Sequence, residues 1–294
     1  MGVAMKEMRL ALPAALNIYI LDAQARNYSP KTIEFYRCRV GGFIAWLTTQ
    51  GVNTVPAVEA AHIRAYLAQR TDQVSATTVH TEARAIRAFL NFCVREGWIE
   101  HSPQRPGMMP RRPRVVRPAL TERQVRGLLK RASPQEAAVI LVLLDTGLRA
   151  AEFCKLDVAD INVGDGTVSV RQGKGAKDRQ VYLGARSRKA LLRYWGEMVI
   201  ADGPAVLTQR GRRRLTPNAL NRTLTRVGEL AGVDVSPHAL RRTFAVLNLR
   251  AGVDVYTLAR LMGHESIETL RQYLPLVDDD VRSTHQRAGV VDRL

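Results

Sequence analysis

Cysteine, lysine and long apolar runs are all scarce in this chain, and each shortage excludes something. Three cysteines (Cys38, Cys93 and Cys154) are spread over 294 residues without any CxxC pair. That excludes a disulfide scaffold, argues against a cysteine zinc site and points to a reducing compartment. No continuously apolar stretch approaches the roughly 20 residues needed to span a bilayer. Lys6 and Arg9 followed by the apolar run Leu10 to Leu21 and by Ala23-Gln24-Ala25 imitate a secretory leader. Glu7 and Asn17 interrupt that pattern, and Pro13 near the start of the run suits an amphipathic helix instead, so the chain reads as cytoplasmic. With 46% hydrophobic and 24% charged residues, disorder and low-complexity assembly are also excluded.

What is plentiful is arginine. Of 44 basic residues only seven are lysine, and against 27 acids the formal charge is +17. Planar, permanently charged guanidinium forks suit phosphate, so a polyanion is the expected partner. Residues 1–100 carry +3, residues 101–118 carry +5 with no acid at all, and residues 119–294 carry +9. Charge alone does not separate nucleic acid from an anionic membrane surface, but no basic amphipathic helix with an aromatic face is present to favour a membrane.

The length suggests about two domains. Residues 1–100 read as a helical bundle, with helices near 12–25, from Ser29-Pro30 to about Gln50, near 59–70, and from Ser75 to about Glu96. In the last of these, Val79, Ala83, Ile86, Leu90 and Val94 recur on one face. Residues 101–118, with five prolines and five arginines, read as an extended basic linker. Arg111, Arg112 and Arg114 within it are candidate contacts to the polyanion. The second domain, 119–294, restarts with two capping boxes, Thr121 to Gln124 and Ser133 to Glu136. The second opens a nearly all-apolar helix that Gly147 should stop. After a short helix near 149–156, a period-two pattern at Val168 and Val170, then at Val181 and Leu183, predicts a small antiparallel hairpin. Helices follow over about 185–200, 217–231, 237–250, 254–262 and 267–274. The fold class is therefore mainly α with one small antiparallel β-sheet.

Four segments of this domain concentrate phosphate chemistry. In Thr146-Gly-Leu-Arg-Ala-Ala-Glu152, Arg149 and Glu152 lie three apart on a helix face, where the carboxylate can aim the guanidinium. Taken alone, such a pair is usually a surface salt bridge. Gly173-Lys-Gly-Ala-Lys-Asp-Arg179 forms the hairpin tip and projects Lys174 from a tight turn. It is no P-loop, because Gly175 stands where Ser or Thr is required and a strand follows. In Ser236-Pro-His-Ala-Leu-Arg-Arg-Thr-Phe-Ala245, Ser236 caps a helix, and His238 and Arg241 share a face of its first turns while Leu240, Phe244 and Leu247 form a buried stripe. In Leu261 to Tyr273, nine residues at 100° each turn through roughly 900°, so on one unbroken helix His264 and Tyr273 would face opposite ways. Gly263 must end one helix and Ser266 cap the next for the two to converge.

Arg149, Lys174, His238-x-x-Arg241, His264 and Tyr273, in this order and spacing, resemble the active-site signature of the tyrosine recombinases, the phage-integrase family of DNA recombinases. The resemblance runs from about residue 10 to 275. It implies a simple type similar to Xer and Cre, starting directly at the core-binding helices without an arm-binding domain, and two domains that close as a clamp around DNA. There are two departures: Arg242 stands where the family often has a second histidine, and Leu-Pro-Leu-Val-Asp-Asp-Asp follows Tyr273 in place of the common Thr-His-Val. The latter speaks against a direct equation with the bacterial chromosome-dimer resolvases. Asp278-Asp-Asp280 reads as a helix start rather than a metal site.

The resemblance implies that Tyr273 is the nucleophile forming a 3′-phosphotyrosyl bond, that Arg149, Arg241 and His264 clamp the phosphate, that Lys174 protonates the departing 5′-oxygen, that His238 assists proton transfer, and that Glu152 supports them. No cofactor or metal is expected. Lys177, Arg179 and Arg242 join the linker arginines as DNA-contact candidates. The expected partners are double-stranded DNA carrying a specific recombination site and a homotetramer assembled on two such sites, with room for an accessory protein, at the nucleoid. Two alternatives remain: a type IB topoisomerase, which relaxes DNA without exchanging partners, and a non-catalytic DNA-binding regulator.

Overall fold

The computed structural model describes residues 10–111, 117–171, 178–208, 212–263, 267–270 and 273. They form two compact units, one on each side of residues 112–116.

The first unit is built on helices α1 (Leu12–Ala25), α2 (Pro30–Thr49), α3 (Ala60–Thr71) and α4 (Ala76–Arg95). Ser29 and Ser75 start α2 and α4 as the sequence predicts, their hydroxyls accepting from the N–H groups of Thr32 and Thr78. Phe43, Ile63, Ile86, Phe89 and Leu90 are essentially inaccessible and form the core. One carboxylate is buried among them: Glu82 is 2% exposed. It accepts two hydrogen bonds from Arg70 and one from Arg39, each 2.9 Å, which supplies the pairing that a buried charge requires.

The predicted linker does not run free along its whole length. Gln104 is buried and donates to the Ala83 carbonyl, the Pro110 carbonyl lies 2.8 Å from His80 Nδ1, and Met108 and Met109 pack on the core. Proline-rich backbone lacks donors but keeps its carbonyls, and two apolar side chains are enough to seat it on α4. Arg111 is exposed, while Arg112 and Arg114 lie outside the described residues.

The second unit contains α5 (Glu122–Arg131), α6 (Pro134–Thr146), α7 (Ala150–Lys155), strands β1 (Thr167–Val170) and β2 (Arg179–Tyr182), then α8 (Ala185–Met198), α9 (Pro217–Ala231), α10 (Pro237–Arg250) and α11 (Val255–Met262). Both capping boxes form. Helix α6 is central: Ala138, Val139, Ile140, Val142 and Leu143 are buried, and it packs against both α8 and α10. The strands pair antiparallel with Val168 opposite Val181, placing both in the core. The tip between them, residues 172–177, lies outside the described residues. Gly147 ends α6 with φ +59° and Gly263 ends α11 with φ +63°, the left-handed caps that glycine adopts without strain.

Two expectations are corrected. Leu247 is 41% exposed rather than part of the stripe that buries Leu240 and Phe244, because in the last turn of α10 it is Leu249 that packs against the Phe244 cluster. In place of an α-helix from 267, Ile267–Leu270 form a 3-10 turn, with Tyr273 N–H donating to the Leu270 carbonyl at 2.8 Å. Among the described residues no helix is long and apolar enough to cross a membrane.

Candidate active site

The site is assembled from the ends of α6, α7, β2, α10 and α11. Leu148, fully buried, anchors the turn after α6, so Arg149 becomes the N-cap of α7 in extended backbone and Glu152 falls at the third helical position. Glu152 Oε2 accepts the Arg149 backbone N–H and Oε1 accepts Arg149 Nη1, both at 2.8 Å. Arg179 at the start of β2 reaches the same carboxylate, Nη1 to Oε1 at 3.2 Å and Nη2 to Oε2 at 2.8 Å. Four donors thus fill the acceptor sites of one carboxylate. Burial alone would raise the Glu152 pKa, but the hydrogen bonds from Arg179 and Arg149 outweigh it and hold the group at about 2.

The same arginines converge on the end of α11. The carbonyls of Leu261, Met262 and Gly263 accept, in turn, from Arg179 Nε (2.9 Å), Arg241 Nη2 (2.7 Å) and Arg149 Nη2 (2.9 Å). The final carbonyls of a helix lack internal partners and carry the negative end of its dipole, so three guanidiniums satisfy what the chain leaves open. Arg241 also donates through Nη1 to the Gly147 carbonyl. It is 5% exposed, and burial, reinforced by the charge of Arg149, lowers its pKa to about 10, which leaves it cationic at neutral pH.

Tyr273 is 2% exposed and clusters with Phe244, Leu258, Met262 and Leu270. Burial pushes its phenol above the ordinary value, against the opposing pull of Arg241, Arg242 and Arg149. His238, in the first turn of α10, is exposed; partial desolvation of its ring lowers its pKa, and Arg242, Arg241 and Arg117 add to the effect. Arg242 donates from Nε to the Pro118 carbonyl at 2.9 Å, and burial, the largest cause, lowers its pKa while Tyr273 opposes that shift.

The structure therefore brings together Arg149, Glu152, Arg241, Tyr273, His238 and Arg242 from segments up to 124 positions apart. Lys174, Lys177 and His264 lie outside the described residues. Arg179, expected on a DNA-facing surface, has a side chain only 9% exposed and occupied by Glu152 and Leu261. Its place was readable: Val181 is buried in β2, and a residue two positions earlier shares its face. The part that sequence reasoning missed is the row of three α11 carbonyls, since main-chain acceptors carry no residue signature.

Residues 118–279 match the phage integrase family, and residues 19–97 match its N-terminal SAM-like domain. The tyrosine recombinase XerA of Thermococcus kodakarensis is 31% identical over 285 residues, covering 93% of this chain and 94% of that protein. The tyrosine recombinase XerC of Pseudomonas syringae is 28% identical over 296 residues, covering 94% and 98%. In fold, the chain resembles a lambda integrase dimer bound to a COC′ core site, with TM-score 0.75 and 18% identity over 91% of this chain and 78% of that one. A crystal structure of XerA recombinase matches with TM-score 0.53 and 24% identity over 94% and 98%. A SAM-like helical domain followed by an arginine-rich helical domain with a small hairpin defines an enzyme that breaks and rejoins DNA strands. The chain belongs to the phage integrase family, as a tyrosine recombinase similar to the XerA and XerC proteins.

Proposed function

We propose that the chain is a site-specific recombinase that cuts one DNA strand by attack of the Tyr273 phenol oxygen on phosphorus, expels the 5′-oxygen and stores the ester's energy in a 3′-phosphotyrosyl bond. A 5′-hydroxyl from a partner duplex then attacks that bond and frees the tyrosine, so exchange passes through a Holliday junction and consumes no ATP. The observation that carries this reading is the convergence of Arg241, on the carbonyls of Gly147 and Met262, and Arg149, on the carbonyl of Gly263, with Tyr273 within the electrostatic reach of both.

In this reading Arg149 and Arg241 bind the nonbridging oxygens and offset the charge that grows in the transition state, assisted by His264. His238, whose pKa is lowered by desolvation and the neighbouring arginines, is suited to accept the tyrosine proton, and Lys174 protonates the leaving oxygen. Glu152 keeps Arg149 oriented. The described part of this set needs no metal to meet the phosphate with positive charge. The partner is duplex DNA carrying a specific site, as supported by the DNA-bound structure of the lambda integrase neighbour. Four protomers would act on two sites, with an accessory protein able to impose direction, in the cytoplasm at the nucleoid. Arg111, Arg112, Arg114, Lys177 and Arg242 would contact the backbone, and binding should weaken with salt by a log–log slope of about −0.9 per phosphate contacted.

The site sequence is obtained by sequencing DNA from covalent complexes trapped in cells. On a nicked duplex carrying it, the wild type should form a covalent adduct and Tyr273→Phe none. An adduct that survives the substitution removes Tyr273 as nucleophile and the reading with it.

A further inference from the structure

Every nitrogen of the Arg179 guanidinium has a hydrogen-bond partner. Its Nη atoms bind Glu152 and its Nε binds the Leu261 carbonyl, so the one side chain joins β2, the first turn of α7 and the last turn of α11. Glu152 in turn holds Arg149 by two hydrogen bonds, and Arg149 continues to the Gly263 carbonyl. The result is a closed ring of contacts: Arg179 to Glu152, Glu152 to Arg149, Arg149 to Gly263, and two residues back along α11 to Leu261 and Arg179. Arg179 is 9% exposed at the side chain whereas Arg149 is 44% exposed. The buried member of the ring fixes the open one.

We propose that Arg179 is a positioning residue for strand cleavage. It sets the direction of the Arg149 guanidinium through Glu152 and fixes the α11 terminus, from which the chain leads on to Tyr273, and it does so without touching DNA. The inference rests on the cleavage reaction proposed above. Without Arg179, Glu152 keeps only its bonds from Arg149, and the pair can swing together; a displacement of about 1 Å at a reacting group can cost on the order of 100-fold in rate. Lysine cannot replace the fork, since an ammonium offers no planar array able to serve both carboxylate oxygens and a carbonyl at once.

The test compares wild type, Arg179→Gln and Arg179→Lys on the nicked duplex, measuring the single-turnover rate of adduct formation, the affinity for the same DNA, and the thermal melt. For Arg179→Gln the adduct rate should fall roughly 10- to 100-fold, with affinity within a few-fold of wild type. Glu152, stripped of its Arg179 bonds, should titrate higher, so the acid limb of the rate profile should move up in pH. Arg179→Lys keeps the charge and protects the fold, and should recover only part of the rate. Wild-type rates in Arg179→Lys would overturn the proposal even if Arg179→Gln does not fold. A rate loss explained entirely by weaker DNA binding would overturn it too and make Arg179 a DNA contact. Failure of the underlying reaction is seen separately, as absence of any Tyr273-dependent adduct in the wild type.

Discussion

Gly147 offers the sharpest test of how the site is built, because one added methyl should disturb both fold and chemistry. The residue adopts φ +59° at the end of α6, and a Cβ placed there would overlap the Phe244 ring. Left-handed backbone costs a residue with a Cβ about 1–2 kcal/mol. Forcing an extra group into the well-packed Phe244 cluster costs about 1–3 kcal/mol more. Gly147→Ala should therefore destabilise by about 2–5 kcal/mol, which in a unit of this size lowers the melting temperature by roughly 4–20 °C. The Gly147 carbonyl also accepts from Arg241, so the adduct rate should drop in whatever fraction remains folded. Differential scanning calorimetry of Gly147→Ala, Phe244→Leu and the double variant separates the two costs. The smaller ring-site residue should return the steric part and leave the backbone part, giving a coupling of about 1–3 kcal/mol. If Gly147→Ala melts within 2 °C of wild type, or the two substitutions are simply additive, the packing argument is wrong.

Three further outcomes are expected. Glu152, lowered from 4.5 to about 2, contributes stability that is complete above about pH 4.5 and is lost as pH falls towards about 2; that corresponds to about 3 kcal/mol. Glu152→Gln should lose most of that stability at pH 7 and show a flatter stability profile below pH 5, as measured by chemical denaturation across pH. In the first unit, Glu82→Gln should cost about 2–3 kcal/mol, less than for a fully buried pair because Arg39 and Arg70 keep some access to water; denaturant titration of the full chain reads it. Lys174→Ala should lose adduct formation on an ordinary phosphodiester and regain it when the 5′-bridging oxygen is replaced by sulfur, since a thiolate departs without a proton. Absence of rescue assigns the general acid elsewhere.

Much of the architecture could be read from local chemistry. Ser29, Ser75, Ser133 and Ser236 start helices because a hydroxyl before a helix has one dominant use, and Gly147 and Gly263 stop them because few other residues take a positive φ without cost. The hairpin followed from alternate valines. Arg149 and Glu152 were expected as partners and are, but as N-cap and third helical residue of a capping box rather than as a pair on a continuous helix face. What could not be read depended on tertiary placement. Residues 101–111 looked too proline-rich to pack, yet two methionines and two main-chain carbonyls seat them on α4. For Arg179, strand parity with the buried Val181 gives the inward face, but not the carboxylate of Glu152 and the Leu261 carbonyl that it meets there.

The arginine-capped end of α11 has a consequence for charge matching. Arg149 and Arg179 bind the single carboxylate of Glu152 while Arg241 caps the same end of α11, which leaves these four groups with a net charge of +2. A phosphodiester carries one negative charge at rest, and attack by a phenolate-like oxygen brings a second before the leaving group is protonated. In the cleavage reaction proposed above, this surplus, to which Lys174 would add, would match the five-coordinate state more closely than the bound substrate. Electrostatics of this kind favours the transition state over the ground state, which is the condition for accelerating a reaction rather than merely gripping DNA. Glu152, by subtracting one charge, would tune the site to the moment of bond exchange.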